Sequence, residues 1–195
     1  MNIYLVRHGE TDENKKSTYY GNLDVDLNEK GIEQANKVSE KLKMVKFDSV
    51  YTSDSKRVKH TADIIIKDKK ANIIADKRIN EINFGLFEGR NYEELCELYT
   101  EECKLWQKNW KEFQPPKGES YIDFYHRVKK FMDDIIKLSG ENILIVTHSG
   151  VIKSIYCYVL ENNMDFFWKF SSKNGDVSIL KYEYGNLYID CIEHS

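Results

Sequence analysis

The sequence has 195 residues, of which 41% are hydrophobic and 31% charged, a balance typical of a globular protein with one sizeable core. Its 29 Lys and Arg residues stand against 32 Asp and Glu residues, for a formal net charge of -3. This composition excludes a general attraction to nucleic acid or to acidic membranes, so we expect any anion site to be local. Two prolines and the absence of a Pro-rich or Ser-rich stretch leave no place for a linker, which predicts a single domain over residues 1–195.

The four cysteines form no C-x-x-C pair, and no histidine stands at zinc-ligand spacing from them. They are Cys96, Cys103, Cys157 and Cys191. Neither a disulfide framework nor a structural metal is therefore indicated, and free thiols in a reducing compartment are expected. The apolar run at the N-terminus is interrupted at Arg7, which makes it too short for a signal peptide or a membrane span. We expect the protein in the cytoplasm.

Short apolar and β-branched runs predict strands. The four runs are residues 2–6, 48–52, 72–75 and 142–147. The first and last are closed abruptly by polar residues, as in strands buried on both faces, and the other two have the same pattern more weakly. Residues 177–183 and 186–192 predict a hairpin that turns near Gly185-Asn186.

Four stretches predict helices, two by their apolar spacing and two because they directly follow a predicted strand. They are residues 28–44, 55–68, 121–138 and 149–161. The apolar stripe of the first consists of Ile32, Ala35, Val38 and Leu42. The stripe of the third, whose start resembles a capped helix at Ser120, consists of Phe124, Val128, Phe131, Ile135 and Leu138.

Alternating strands and helices predict an α/β fold, a three-layer α/β/α sandwich with a mostly parallel central sheet. Ligands of such sheets bind beyond the carboxyl ends of the strands, near a point where the strand order reverses. Arg7-His8 and His148 each follow a predicted strand. We therefore expect the functional site at this edge of the sheet.

The five histidines are not equivalent. His60 and His126 lie in helical patterns and His194 lies in the C-terminal tail, where a surface or packing role is the ordinary interpretation. His8 and His148 instead end buried strands and meet small polar turns. A structural role stays open for either one alone, but the pair forms a candidate catalytic site.

The run from Leu5 to Thr11, LVRHGET, resembles the signature of the histidine phosphatase superfamily, which has the phosphoglycerate mutase-like fold. Three further blocks follow in the order of that family. Matching positions are Asn14, then Tyr51-Thr52-Ser53 with Arg57 and Thr61-Ala62, then Glu81-Ile82-Asn83-Phe84-Gly85 with Glu88-Gly89, then Val146-Thr147-His148-Ser149-Gly150. Ordered blocks over about 150 residues are far more specific than one short motif.

The resemblance implies that His8 accepts the phosphoryl group, while Arg7, Asn14, Arg57 and His148 bind phosphate. A phosphohistidine intermediate requires a neutral imidazole whose second nitrogen is held by a partner. The positive charges of Arg7 and Arg57 and a partly charged His148 should keep His8 unprotonated. Because arginines can donate paired hydrogen bonds to phosphoryl oxygens, no metal or other cofactor is expected.

The leaving alkoxide needs a proton, and Glu81 is at the position that the resemblance implies for the donor. It would give its proton to the departing oxygen and later take one from the attacking water. This cycle requires a raised pKa, which burial near an anionic phosphate would produce.

Three charged residues of the matching blocks, Glu10, Glu88 and Arg57, can also be explained without a catalytic role. Glu10 and Glu88 are alternative proton donors, but exposed or structural carboxylates are common. Arg57 lies beside Lys56 and Lys59 on a predicted helix, where a solvated basic face is usual. Only the block match favours a catalytic role for it.

Two regions resemble alpha-ribazole phosphatases, which act in cobalamin biosynthesis. The first is Tyr20-Gly21 with residues 26–35, and the second comprises Trp106, Trp110 and the loop 115–120. The implied partner is a small phosphate ester, alpha-ribazole 5'-phosphate, with no nucleic acid and no membrane. A broad-specificity, phosphoserine or sugar phosphatase is the alternative. A phosphoglycerate mutase is disfavoured by the missing insertion, and a non-catalytic phosphate-binding protein by the presence of every reacting group.

Residues 91–120 are a candidate for a helical cap over the active site. Aromatic residues recur there at roughly helical spacing, at Tyr92, Tyr99, Trp106, Trp110 and Phe113. One interpretation is a helix or two packed on the sheet. The other is a cap whose aromatic rings receive an apolar base such as dimethylbenzimidazole. On the second interpretation Tyr20, Gly21 and Trp106 are candidate substrate-binding residues.

Two positions depart from the family pattern. Ser149 stands where many relatives have glycine, and Asp54-Ser55 replaces a frequent proline-containing turn. Neither change removes a functional group, so both bear on the choice of substrate and not on the catalytic chemistry.

Overall fold

The computed structural model describes residues 1–67, 69 and 71–194, and these form one six-stranded sheet with helices on both faces. The strands are β1 (Asn2–Arg7), β2 (Ser49–Thr52), β3 (Ile73–Ala75), β4 (Asn142–Thr147), β5 (Val177–Glu183) and β6 (Asn186–Glu193). Their order is β3-β2-β4-β1-β5-β6, in which the first four are parallel and the hairpin β5–β6 is antiparallel. The prediction of a mostly parallel sheet is confirmed.

The helices account for most of the remaining regular structure. They are α1 (Asp12–Lys15), α2 (Glu29–Lys41), α3 (Lys56–Ile66), α4 (Tyr92–Leu98), α5 (Thr100–Lys108), α6 (Tyr121–Ile135) and α7 (Ser149–Val159), with short 3-10 turns at Lys77–Ile79, Gly85–Phe87 and Met164–Lys169. None of the helices described has the length and apolar character needed to cross a membrane.

Two hydrophobic cores lie on opposite faces of the sheet. Alternate residues of β4 point to opposite faces, so Ile143 and Ile145 join the core formed with α6 and α7, while Leu144 and Val146 join the core formed with α2 and α3. The central strands are therefore buried on both sides, as their continuous apolar sequence predicts. Helices, sheet and helices make the predicted three-layer sandwich.

Several local predictions are wrong for identifiable reasons. The strand predicted at 72–75 is exposed along its length, because β3 is the edge strand of the sheet. Ile32 is 37% exposed and is not part of the buried stripe of its helix. The helix predicted to reach residue 138 ends at Ile135, and Leu138 is 41% exposed. The predicted hairpin, by contrast, is present, and its two-residue turn is Tyr184-Gly185, whose φ angles of 53° and 79° suit a tight turn.

Other helix boundaries differ less. The first long helix ends at Lys41 instead of residue 44, and the last ends at Val159 instead of 161. The helix predicted over 55–68 spans Lys56–Ile66, and its predicted last residue, Asp68, lies outside the described residues. Boundaries of this kind depend on caps and fraying more than on apolar spacing.

The region 91–120 is built on α4 and α5, which pack as part of the larger core. Leu95, Cys103 and Trp106 belong to the same cluster as the residues of α6 and α7. Trp106 is only 8% exposed, and its ring stacks on Phe113 with centroids 5.8 Å apart. Packing of two helices on the rest of the fold is therefore observed, while the role of this region as a cap over the active site stays a prediction.

Candidate active site

Parallel pairing of β1 with β4 brings the two strand-end histidines together. Arg7 pairs with Thr147 in the register of the two strands, and the backbone N–H of His8 donates to the Thr147 carbonyl at 2.9 Å. The rings of His8 and His148 are both buried, with centroids 5.3 Å apart and planes inclined at 67°. The site thus lies at the carboxyl edge of the sheet, as predicted from the positions of these residues.

A cavity of about 150 Å³ opens at the two histidine rings. It is lined by Arg7, His8, Asn14, Thr18, Tyr19, Tyr20, Arg57, Glu81, Phe84 and His148. Seven of the nine sequence-predicted site residues are in this lining, and Gly21 and Trp106 are not. The size suits a small anion, since sites for drug-sized ligands usually reach about 300–1,000 Å³.

One nitrogen of the His8 ring is held by the backbone. Its Nδ1 lies 2.7 Å from the carbonyl oxygen of Gly9, and because a carbonyl only accepts, Nδ1 must carry the proton. Nε2 then has a free lone pair and no hydrogen-bond partner among the described residues. The turn after His8 runs close to α2, where a Cβ on Gly9 would lie 2.2 Å from the carbonyl oxygen of Gly31. Glycine at position 9 is therefore required by this close approach.

The His8 ring is neutral in this environment. Burial and the positive charges of Arg57 and Arg7 hold the pKa of His8 well below its usual value near 6.5. The imidazole consequently retains its lone pair through the physiological range.

We expect this to be visible in a proton NMR titration of the ring. The His8 resonance, assigned by its loss in His8→Ala, should not shift as the pH falls from about 7.5 to about 6, because protonation is opposed by burial. A midpoint near 6.5 would contradict the neutral ring.

The lowered pKa of His8 also affects the free energy of unfolding. The unfolded chain takes up this proton near pH 6.5 and the folded chain does not, so folding stability should be retained above about pH 6.5 and decline below it.

Two arginines, the half-buried Arg7 and the buried Arg57, lie beside the histidines. Arg7 donates through Nη1 to the carbonyl oxygen of Ser172. Arg57, which is fully buried, donates from Nη1 to the carbonyl of Leu23 at 2.8 Å and from Nη2 to that of Gly21 at 3.0 Å. Within the described residues neither guanidinium forms an ion pair with a carboxylate. Guanidinium groups that are withdrawn from solvent and have no carboxylate partner among the described residues indicate that the cavity is built for an anion.

Tyr20 and Gly21 hold Arg57 in place. The Arg57 guanidinium lies over the Tyr20 ring, 4.6 Å from its centroid, and the Tyr20 hydroxyl is 2.8 Å from Thr11 Oγ1. A Cβ on Gly21 would lie 1.9 Å from the carbonyl oxygen of Ile82, so only glycine allows the chain to pass here. Gly21 therefore acts through its carbonyl group and does not itself line the cavity.

Asn14 reaches the cavity because α1 begins at a capping box. Thr11 caps this helix, and its own backbone N–H donates to Asn14 Oδ1 at 3.2 Å. Asn174 Nδ2 donates both to Asn14 Oδ1 at 3.1 Å and to the His8 carbonyl at 3.0 Å. Asn14 Nδ2 has no hydrogen-bond partner among the described residues, which makes it a donor available to a bound anion.

Glu81 is oriented by the first turn of α7. Its Oε2 accepts from the Gly150 N–H at 3.1 Å, and its Oε1 accepts from the Ile82 N–H at 3.0 Å. A Cβ on Gly150 would lie 2.3 Å from Oε1, so glycine is needed for the carboxylate to approach the helix. The Glu81 carbonyl also accepts from Arg127 Nη2 at 3.0 Å, which fixes the backbone of the same residue.

The two alternative carboxylates lie outside the cavity lining. Glu10 pairs with Lys30 at 2.8 Å. Glu88 accepts from the backbone N–H groups of Asn22 and Leu23, both at 2.8 Å. Their contacts fit the structural interpretation of each residue.

The environment of His148 favours the neutral ring, which corrects the expectation of a partly charged one. Burial and the charge of Arg57 hold its pKa well below the usual range. Arg57 Nη2 approaches Nδ1 at 3.5 Å, and Nε2 is 2.9 Å from Ser53 Oγ. Because arginine can only donate, Nδ1 is the accepting nitrogen and Nε2–H donates to Ser53.

Sequence reasoning assigned no role to several residues that shape this site. Ser53 lies within the second matching block, so its position was visible but its bond to His148 was not. Asn174 and Ser172 lie in irregular chain before β5 and have no local pattern that would reveal their contacts. Tyr19, adjacent to Tyr20, also lines the cavity.

The cavity combines two histidines with two arginines at the carboxyl edge of an α/β sandwich. This arrangement is typical of proteins that bind small anions. The chain belongs to the histidine phosphatase superfamily, because the model of the family described as Histidine phosphatase superfamily (branch 1) matches residues 3–194. Its relatives include proteins named as phosphatases, and the chain is accordingly a phosphatase of this superfamily.

Three similar proteins illustrate the relationship. Phosphoserine phosphatase 1 from Hydrogenobacter thermophilus is 32% identical over 94% of this chain and 87% of that protein. The adenosylcobalamin/alpha-ribazole phosphatase of Escherichia coli is 31% identical over 90% of this chain and 87% of that protein. The crystal structure of the alpha-ribazole phosphatase from Shigella flexneri has a TM-score of 0.94 at 29% identity, covering 98% of this chain and 96% of that one.

Proposed function

We propose that this phosphatase hydrolyses phosphate monoesters through a phosphohistidine formed on His8. The observation that supports this best is the free Nε2 lone pair of His8 beside two arginines, Arg7 and the buried Arg57, that have no carboxylate partner among the described residues. In the first step Nε2 bonds to phosphorus as the ester P–O bond breaks, and the Glu81 carboxyl gives its proton to the departing oxygen. In the second step water attacks phosphorus, Glu81 takes its proton, the N–P bond breaks and phosphate leaves.

Arg7, Arg57 and Asn14 supply the hydrogen-bond donors for the phosphoryl oxygens. The transferring group spreads charge over its equatorial oxygens, so fixed donors stabilise it without moving. Each charge-assisted bond is typically about 1.5–3 kcal/mol. His148, neutral before the substrate binds, gains a favourable interaction in its protonated form once a phosphate dianion lies beside it.

Replacing Glu81 with glutamine should affect substrates according to their leaving groups. An alkyl phosphate needs a proton on its departing oxygen, so we expect kcat to fall about 10²–10⁴-fold. For p-nitrophenyl phosphate, whose leaving group is stable as an anion, the fall in the phosphorylation step should be much smaller. Rapid-quench measurement of p-nitrophenol and alcohol release tests this, and equal losses for both substrates would reject Glu81 as the acid.

Alpha-ribazole 5'-phosphate is the substrate that we propose. Support comes from the relatives named as alpha-ribazole phosphatases and from an uncharged aromatic pocket beside the catalytic cavity. A similar relative is named a phosphoserine phosphatase, but phosphoserine has a charged amino acid as its leaving group.

A cytoplasmic location is part of the proposal. The four free cysteines fit this reducing compartment.

The direct test is phosphate release in EDTA from a panel of esters. The panel contains alpha-ribazole 5'-phosphate, phosphoserine, 3-phosphoglycerate, fructose bisphosphate and p-nitrophenyl phosphate. We expect kcat/KM for alpha-ribazole 5'-phosphate to exceed the others at least tenfold, or about 1.4 kcal/mol. A flat profile would indicate a broad-specificity phosphatase. Interconversion of 2- and 3-phosphoglycerate faster than phosphate release would overturn hydrolysis as the main reaction.

A further inference from the structure

A second pocket, of about 250 Å³, adjoins the catalytic cavity. Tyr19 lines both, so a molecule anchored at His8 can extend from one into the other. The pocket is lined by Tyr19, Tyr92, Trp106, Gln107, Trp110, Tyr121 and Trp168. Six of these seven side chains are aromatic and none has a formal charge near neutral pH.

Trp110 and Trp168 form a corner in this pocket. Their ring centroids are 5.6 Å apart and their planes are inclined at 67°. Tyr121 closes the corner, with its ring 5.3 Å from that of Trp110 and 5.9 Å from that of Trp168. Rings that meet at steep angles leave faces on which a flat ligand ring can stack.

Trp168 is more available to a ligand than Trp106. It is 54% exposed on the 3-10 turn Met164–Lys169, whereas Trp106 is 8% exposed and packs against Phe113 and Phe87. The sequence-based prediction favoured Trp106, but most of that ring is committed to the core. Trp168 was not singled out, because its short segment is too brief to show a helical or strand spacing.

Lys153 holds Trp168 and links it to the catalytic residues. Its ammonium lies 4.8 Å from the Trp168 ring centroid and 5.6 Å from that of Phe167. Lys153 is on α7, the helix whose first turn positions Glu81 through Gly150. A cation over an aromatic face restrains the ring, so Trp168 is preorganised at a fixed position relative to the reacting groups.

Gln107 supplies the polar contact in an otherwise aromatic lining. Its Nε2 donates to the Tyr92 hydroxyl, and its second amide proton and its carbonyl oxygen have no hydrogen-bond partner among the described residues. An amide can therefore bind a ring nitrogen as donor or acceptor. A few polar groups in an apolar pocket are what fix the orientation of a small ligand.

From these contacts we propose that the pocket binds the leaving group of the substrate, and that this group contains a flat, uncharged nitrogen heterocycle stacked on Trp168 and Trp110. The proposal rests on the proposed function, since the phosphate must lie at His8 for the ring to reach this pocket. Burial of an amino-acid carboxylate here would cost its hydration, because no charged side chain is among the lining residues and the nearby ammonium of Lys153 lies over the Trp168 ring.

The test compares alpha-ribazole 5'-phosphate with ribose 5-phosphate, which presents the same ester without the base. Trp168→Ala should lower kcat/KM for the first about tenfold, the scale of one base–aromatic stack, and change the second less than about twofold. Phe166→Ala is the matched control, because Phe166 lies on the same turn, is 38% exposed and does not line the pocket. It should leave both substrates unchanged. Equal effects of Trp168→Ala on both substrates would overturn the proposal.

A binding measurement separates this proposal from the catalytic one. Dephosphorylated alpha-ribazole should quench tryptophan fluorescence of the wild-type protein and of His8→Ala with similar Kd, and Trp168→Ala should weaken that Kd about tenfold. If His8→Ala stays active, the phosphohistidine mechanism fails, while quenching lost in Trp168→Ala still supports the pocket. A different outcome would contradict the proposal: if the wild-type protein prefers phosphoserine and Lys153→Met abolishes that preference, the pocket binds an anionic leaving group.

Discussion

His8→Ala should remove phosphatase activity, lowering kcat on the order of 10⁴–10⁶-fold, because no other described side chain in the cavity presents an unprotonated imidazole nitrogen free of hydrogen bonds. The same variant should accumulate no covalent phosphoryl group. Rapid acid-free quenching followed by intact-mass measurement would detect the phosphoprotein in the wild type during turnover and its absence in the variant.

The control for this variant is His126→Ala. His126 is exposed on α6 and lies outside the cavity, so it should retain wild-type kcat and the covalent intermediate. Unfolding of His8→Ala would mimic lost catalysis, so both variants should first be shown to melt at similar temperatures. A folded His8→Ala protein with wild-type turnover would refute the phosphohistidine mechanism.

Arg57→Lys should reduce kcat/KM about 10²–10³-fold, the usual effect of losing a fixed donor to a developing negative charge. Lysine keeps the positive charge, but one ammonium cannot reproduce the planar fork that reaches the carbonyls of Gly21 and Leu23 and still faces the cavity. Steady-state kinetics with p-nitrophenyl phosphate would measure the loss.

Arg78→Lys is the matched control for this exchange. Arg78 pairs with Asp76 and Asp134 away from the cavity, so the same substitution there should leave kcat/KM near the wild-type value. If Arg57→Lys is as active as Arg78→Lys, positive charge alone is sufficient and the geometry of the guanidinium does not matter. A comparable loss in both variants would indicate a general effect on folding.

The order and type of the main elements could be predicted because their signals are local. β1 and β4 are continuous apolar runs, and α6 repeats its apolar residues at helical spacing over most of its length. Edges and ends were predicted less well. Whether Ile73 and Ile74 are buried depends on which strand lies beside them, and that is a property of the whole sheet.

The candidate site, too, could be predicted only in part. His8 and His148 could be located because each follows a strand, and family resemblance brought in Arg57 and Glu81. Contacts between distant segments had no such signal. Lys153 on α7 contacts Trp168 on the 3-10 turn Met164–Lys169, and nothing in the neighbouring sequence of either residue indicates this contact.

The way Arg57 is held has a consequence for natural variation. Its guanidinium is fixed by the backbone carbonyls at positions 21 and 23, and Glu88 fixes the N–H groups of the same short loop. Because these contacts use only backbone groups, substitution of the Asn22 or Leu23 side chain in homologues should not disturb catalysis. Insertion or deletion of a single residue there would shift the carbonyl groups, so this loop should tolerate substitution while keeping a fixed length.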